Sequence, residues 1–227
     1  VEIVALSAMA QESRIGDGKT IHLPSSIAEF DDDEMDFRLY KVLAAHGAGQ
    51  IEFGTFDRDT LELKSAFADL SELYSATAQE RDSFSLDGYL DIADPEIRNS
   101  KFEIRNLPNN SDYREVLKTF PEPRLARKIF GTMENARIDH RLRQTYRGLV
   151  TDLDLMRRHL GSNRPYIFDL PIHQVPSELL FQITLCGGAT DDAKRFYGQI
   201  VSEIESVIET YFHSTFDIRN STFPTVA

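Results

Sequence analysis

A single cysteine, Cys186, stands among 227 residues, so no intramolecular disulfide can form and a reducing compartment is the natural setting. No apolar run approaches the roughly 20 residues a membrane helix requires, and membrane anchoring by this segment is not expected. Positive charge is scarce: Lys and Arg number 25 against 37 Asp and Glu, a net charge of −12 with a pI near 4.9. Phosphate neutralisation needs a basic face, so nucleic acid is not an expected partner. The basic stretch Arg137 to Arg147 lies in acidic surroundings and reads as a solvated helix face. GDGKT at Gly16 to Thr20 is no phosphate loop, because GxxxxGK[ST] is absent and extended residues follow it. No serine sits in GxSxG, and His22, His140, His159, His173 and His213 show no metal-ligand spacing. Cys186 closes an apolar helix before two glycines and reads as buried. Together these absences leave a cytoplasmic protein with no evident catalytic machinery of its own.

What is present is helical patterning, with 41% hydrophobic residues, enough to bury a substantial core. In Phe37 to Phe56, FRLYKVLAAHGAGQIEFGTF, the residues Phe37, Tyr40, Leu43, Ala44, Gly47 and Ile51 recur at helical spacing and predict the buried face of a helix. After Pro24 a helix is predicted to begin, with Ser25 or Ser26 placed to cap its first turn. Asp31, Asp32, Asp33 and Glu34 then suit the amide end of the long helix, and they lack the oxygen spacing and central glycine of a calcium loop. A second helix is predicted over Leu63 to Gln79, with Phe67, Leu70, Leu73 and Tyr74 on one side. Residues 82–110 mix Gly88, Pro95, Pro108 and Asn109-Asn110 with short apolar pieces and predict an irregular insertion, with one strand near Phe102 to Ile104. Pro121 and Pro123 open a helix to about Tyr146, striped by Leu125, Ile129, Met133, Ala136, Ile138 and Leu142. Further helices are predicted to Arg158, over Glu178 to Cys186, and from Asp191 or Asp192 onward with Phe196, Ile200, Ile204, Val207, Ile208 and Tyr211 inward. Gly187-Gly188 stops the third of these four. The fold class expected is mainly α: one multi-helix domain over 1–227, with a strand-like piece at Thr20 to Pro24 and the insertion at 82–110.

One constellation invites a zinc test. A zincin helix carries HExxH, two imidazoles four residues apart with a glutamate to activate water. Aligned on His46 the chain reads HGAGQ, with Gly47 at the glutamate's place and Gln50 at the second histidine's; a later helix supplies Glu134 and Asp139. The second imidazole and the general base are both missing. The structural reading makes His46 a bridge to a neighbouring carboxylate, with Glu134, Arg137, Arg141 and Glu52 in an ion-pair network that fixes helix register. A divergent zincin-like hydrolase using His46 with Glu52 or Glu134 is the competing reading. No catalytic, cofactor-binding or metal-binding residue is assigned, and no cofactor is expected.

GDGKTIHLP at Gly16 to Pro24, FRLYKVLAAHGAGQIEFGTF at Phe37 to Phe56 and FGTMENARIDHRLRQTYRGL at Phe130 to Leu149 occur in the order found in the CbbO/NorD family of von Willebrand A-domain proteins, which this chain resembles. The resemblance spans about two thirds of the chain. It implies an adaptor for a hexameric MoxR-type AAA+ ATPase: in the CbbO branch a CbbQ-type ring, with Rubisco as the client to be reactivated, and in the NorD branch a role in maturing nitric oxide reductase. CbbO is favoured. The family's adhesion motif, DxSxS, is absent, and VEIVALSAMA begins inside an apolar run without an initiator methionine. The chain is therefore expected to be a piece of a longer protein, lacking the von Willebrand A domain through which the client would be held.

Overall fold

The computed structural model describes residues 15–84 and 106–216, without the side chains of 75–84 and 213–216. These residues form seven α-helices and no strand, and the fold is mainly α. The helices are α1 (Asp33–Glu52), α2 (Leu61–Phe84), α3 (Tyr113–Leu117), α4 (Pro123–Thr145), α5 (Val150–Ser162), α6 (Val175–Leu185) and α7 (Asp191–Phe216). The described parts of Val1–Phe56 and Arg127–Val226 make one compact unit, and those of Asp57–Ala126 a second.

In the first unit α1 begins where the acidic run predicts. Asp32 is the N-cap, its side chain accepting from the amides of Glu34 (2.8 Å) and Met35 (3.4 Å), and Asp33, Glu34 and Asp36 fill the first turn, where negative charge meets the positive helix end. Residues 25–32 form no helix, so neither Ser25 nor Ser26 caps one. The inward face of α1 differs from the expected stripe. Leu39, Val42, Gly49 and Gln50 are buried, whereas Phe37 is 65% and Ile51 44% exposed. Both stripes have helical spacing, and the sequence pattern alone does not choose between two apolar sides of one helix.

Around α1 the core gathers Ala136, Ile138 and Leu142 of α4, Leu153, Leu155, Met156 and Leu160 of α5, and Phe181 and Leu185 of α6. On α4 the buried face starts later than expected, since Leu125 and Ile129 are 47% and 41% exposed. Helix α5 runs on to Ser162, and α6 starts at Val175 with Pro176 in its first turn, where a missing amide hydrogen costs nothing. Gly187 and Gly188, at φ +87° and +146°, end α6 as expected. A buried node ties this end together: Arg164 grips Glu178 at 2.8 and 2.9 Å and lies over the Phe181 ring, while Gln182 donates to Glu178 and accepts from the Thr190 amide. Helix α7 packs through Ala193, Val201 and the half-buried Tyr197 and Ile204 against Ile167, Val175 and Leu179. Phe196, Ile200 and Val207, expected inside, are 41%, 42% and 67% exposed. Tyr197 has non-helical φ and ψ, which breaks α7 and shifts the phase on which that expectation rested.

In the second unit α2 and α3 pack together, with Leu63, Phe67, Leu107, Tyr113, Val116 and Leu117 buried. Helix α2 extends beyond the expected Gln79 to Phe84, and Leu73 is 56% exposed instead of inward. Most of the irregular stretch 82–110, including the expected strand at Phe102 to Ile104, falls outside the described residues. Its far end is pinned by Asp59, whose carboxylate accepts from the amides of Asn110 and Ser111 while its own amide donates to the Ser111 carbonyl.

Candidate functional site

Among the described residues the largest collection of buried polar side chains lies in the first unit, where the end of α1 and the turn after it meet the middle of α4. Gln50, Thr55, Thr132, Glu134, Asn135 and Arg137 are each at most 4% exposed. Such groups must find partners, because an unpaired buried polar group costs about 1–3 kcal/mol. His46 Nε2 stands 3.7 Å from Asp139 Oδ1, and four residues on, Gln50 Nε2 donates to Asn135 Oδ1 at 3.3 Å. A step of four forward on α1 is matched by a step of four backward on α4, the register of two antiparallel helices. One turn further, Thr55 Oγ1 donates to Glu134 Oε1, and Arg137 donates two hydrogen bonds to the same carboxylate at 2.8 and 2.7 Å and a third to the Phe53 carbonyl at 2.9 Å.

At the other end of the seam Asp139 is a hub. Besides His46 it accepts from Arg143 Nε at 2.6 Å and from Arg157 Nη2 of α5 at 3.1 Å. Burial pushes its carboxyl up, but hydrogen bonds and charge from His46 and Arg143 outweigh burial and hold it below the ordinary aspartate value. Arg143 in turn bridges to Asp154 at 2.6 Å; burial works against its charge, and the two aspartates more than restore it. Arg38 and Lys41 of α1 converge on the buried Asp152 of α5. Their hydrogen bonds lower the Asp152 carboxyl in spite of its burial.

A strap before α1 lies over this seam. The Gly16 amide donates to Gln50 Oε1 at 3.0 Å. Gly18, at φ +79°, lies so close to the Phe56 ring that a Cβ would sit 2.6 Å from it, and a Cβ on Gly47 would come equally near the Ile21 methyl. Farther on, Glu29 takes a hydrogen bond from His159 at 2.9 Å, the Phe30 ring leans on the same imidazole, and Asp36 accepts from the amides of Glu29 and Phe30. The expected strand-like piece at Thr20 to Pro24 forms no strand; side-chain anchors hold it, not a partner strand.

His46 thus meets a carboxylate, as its structural reading expects, and the partner is Asp139. Glu134 and Arg137 pair as expected. Glu52 accepts from the Tyr146 hydroxyl at 2.8 and 2.9 Å, a hydrogen bond that raises the phenol above its ordinary value, and its charge also acts on Arg141. Arg141 lies over the Phe53 ring, and burial, then Arg137, lowers it. For metal the donor set fits poorly. Ile21 occupies the space a zincin glutamate would need at Gly47, both ends of the Gln50 amide are engaged, and the Asp139 oxygens face two arginines and the His46 imidazole. Among the described residues no three His, Cys, Asp or Glu side chains gather in a metal-holding group. His140 stacks on Phe212, and burial pushes it below the ordinary histidine value; Cys186 is half-buried at the end of α6. The side chain of His213 lies outside the described residues.

Sequence reading missed the Gln50–Asn135 pair, Thr55, and the Glu29–His159 anchor. For the first a signal exists, since Gln50 and Asn135 lie at i, i+4 from His46 and Asp139, the pair that meets across the same seam. The anchor spans 130 positions and leaves no local signature. Comparisons with protein-family models, with curated proteins and with solved structures gave no match.

Proposed function

We propose that this chain is the adaptor subunit of a MoxR-type AAA+ ATPase, the CbbO component of a CbbQO-type Rubisco activase, and that it does no chemistry itself. One observation supports this most. The three segments that carry the resemblance, Gly16 to Pro24, Phe37 to Phe56 and Phe130 to Leu149, pack on one another: strap on α1 through Gln50 and Gly47, α1 on α4 through His46, Gln50 and the Glu134–Arg137 pair. Segments scattered along the chain are therefore one physical body. Most of its polar interior is engaged in internal pairing, although Arg143 Nη2 and Arg157 Nε at the Asp139 hub make no hydrogen bond, and such pairing suits a part that transmits motion without deforming. In this reading ATP turnover belongs to the ring, and the client is held by a von Willebrand A domain elsewhere in the protein.

The acidic run Asp31 to Asp36 meets the ring in this reading. Asp32 and Asp36 are engaged in capping and in holding the strap, whereas Asp31, Asp33 and Glu34 are exposed. Co-purification with a hexameric CbbQ-type ATPase is expected, weakened by charge reversal at Asp31, Asp33 and Glu34 and by high salt; binding indifferent to both would remove the reading. A NorD-type role with nitric oxide reductase shares the same body, and Rubisco or reductase genes beside this reading frame would separate the two. The zincin-like alternative draws less support, because the His46 neighbourhood lacks a general base and a second imidazole. Stoichiometric zinc together with peptidase activity lost on His46→Gln would restore it.

A further inference from the structure

Helix α1 has two apolar sides. At about 100° per residue, Leu39, Val42 and Gly49 point into the core, and Phe37, Tyr40, Ala44, Ala48 and Ile51 fall on the opposite side. Phe37 is 65% and Ile51 44% exposed, Ala48 is exposed, and Tyr40 and Ala44 are half-buried. A helix apolar on both sides is ordinarily covered on both. Here the outward side is one continuous stripe, and its middle, Ala44 and Ala48, is low enough for another helix to approach at the usual 8–10 Å axis separation.

The charges around the stripe restrict what can cover it. Asp33 and Glu34 stand one turn before Phe37, with Asp31 just ahead, and among the described residues none of the three takes part in an ion pair. Glu52 closes the far end. The cation along the stripe, Lys41, is engaged with Asp152. A second copy of this chain would bring carboxylates against carboxylates whether the helices ran parallel or antiparallel. An anionic membrane surface would meet the same repulsion.

We propose that the outward face of α1 is a docking site for a helix of a partner protein, one with its own apolar stripe and with lysines or arginines flanking it. Phe37 and Ile51 are the apolar anchors, Ala44 and Ala48 the saddle between them, and Asp33 and Glu34 the acidic end that orients the incoming helix. This inference shares Asp33 and Glu34 with the ring interface proposed above, but its apolar anchors do not belong to that reading, and a peptide titration without the ring distinguishes its failure from that of the ring assignment.

The test titrates the full chain with two synthetic helical peptides, both carrying leucines at i, i+3, i+4 and i+7, one flanked by lysines and the other by glutamates. Saturable binding of the lysine peptide alone is expected, weakened at least about tenfold by Phe37→Glu and by Ile51→Glu. Circular dichroism should show both exposed-site variants folded. Absence of saturable binding, equal binding of the two peptides, or binding that survives both substitutions in the folded protein would each overturn the proposal.

Discussion

Arg137 and Glu134 are the residues on which the first unit depends most sharply. Both side chains are at most 2% exposed, and each satisfies the other's charge. Removing one partner leaves a buried charge uncompensated, which costs about 3–5 kcal/mol, whereas replacing both by apolar residues of similar volume is often close to neutral. Arg137→Ala is therefore expected to lower the unfolding free energy by about that amount in urea denaturation, with the pair Glu134→Leu and Arg137→Met recovering most of the loss. A double variant as unstable as Arg137→Ala would mean that Thr55 and the Phe53 carbonyl need the pair specifically. Asp139 gives a prediction in pH. Its folded carboxyl titrates below the ordinary aspartate value, so the unfolded chain takes up the proton first. The stability this difference supplies is complete above the ordinary value and is lost as pH falls from about 4 toward the lower folded value. Asp139→Asn should flatten the fall in melting temperature over that acid window while lowering the melting temperature at neutral pH. An unchanged acid limb would exclude Asp139 as its source.

Helix packing explains the glycine that the sequence pattern places on the apolar stripe of α1. Gly47 lies mid-helix, where glycine costs roughly 0.5–1 kcal/mol against alanine, yet a Cβ there would meet the Ile21 methyl at 2.6 Å. Gly47→Ala is expected to destabilise by about 1–3 kcal/mol through overpacking. Adding Ile21→Ala should recover part of that loss, and a thermal melt in which the double variant falls below Gly47→Ala would refute the contact. The glycines at 47 and 49 do signal close approach in the sequence, but what approaches is a strap with no periodicity of its own, so Ile21 was not legible as the neighbour. Helix existence was far easier to read than helix facing. The order of six of the seven helices followed from period, proline and glycine, and Asp32 was readable as part of a cap; α3, five residues long, is too short to show a period and was missed. On α1 and α7, apolar residues occupy two sides, and the choice between Leu39 with Val42 and Phe37 with Ile51 belongs to tertiary packing. At the polar seam the spacing of Glu134 and Arg137 announced their pair, being local. Asp139 as the meeting point of His46, Arg143 and Arg157 joins three helices, and only the fold brings them together.

At the scale of the molecule, what the described polar interior does with its charges bears on the adaptor reading. A catalytic centre leaves a base, a nucleophile or a donor facing a space that substrate can enter. In the α1–α4 seam the carboxylate of Glu134 faces Arg137 and Thr55, that of Asp139 faces two arginines and an imidazole, and the Gln50 amide is held at both ends. Charge balanced in this way fixes three helices in one arrangement, the property needed to pass on a displacement of a few ångströms without absorbing it. The adaptor reading then makes a prediction about where turnover resides. In a reconstituted complex with a CbbQ-type ring, ATP hydrolysis should require the ring and be absent from this chain alone. His46→Gln in this chain should leave hydrolysis within about twofold of the starting complex, because it removes a helix bridge and no reacting group. Phosphate release assays measure both. Hydrolysis that fails with His46→Gln, while the complex still assembles and the chain still melts cooperatively, would place His46 in the working chemistry and reverse the division of labour proposed here.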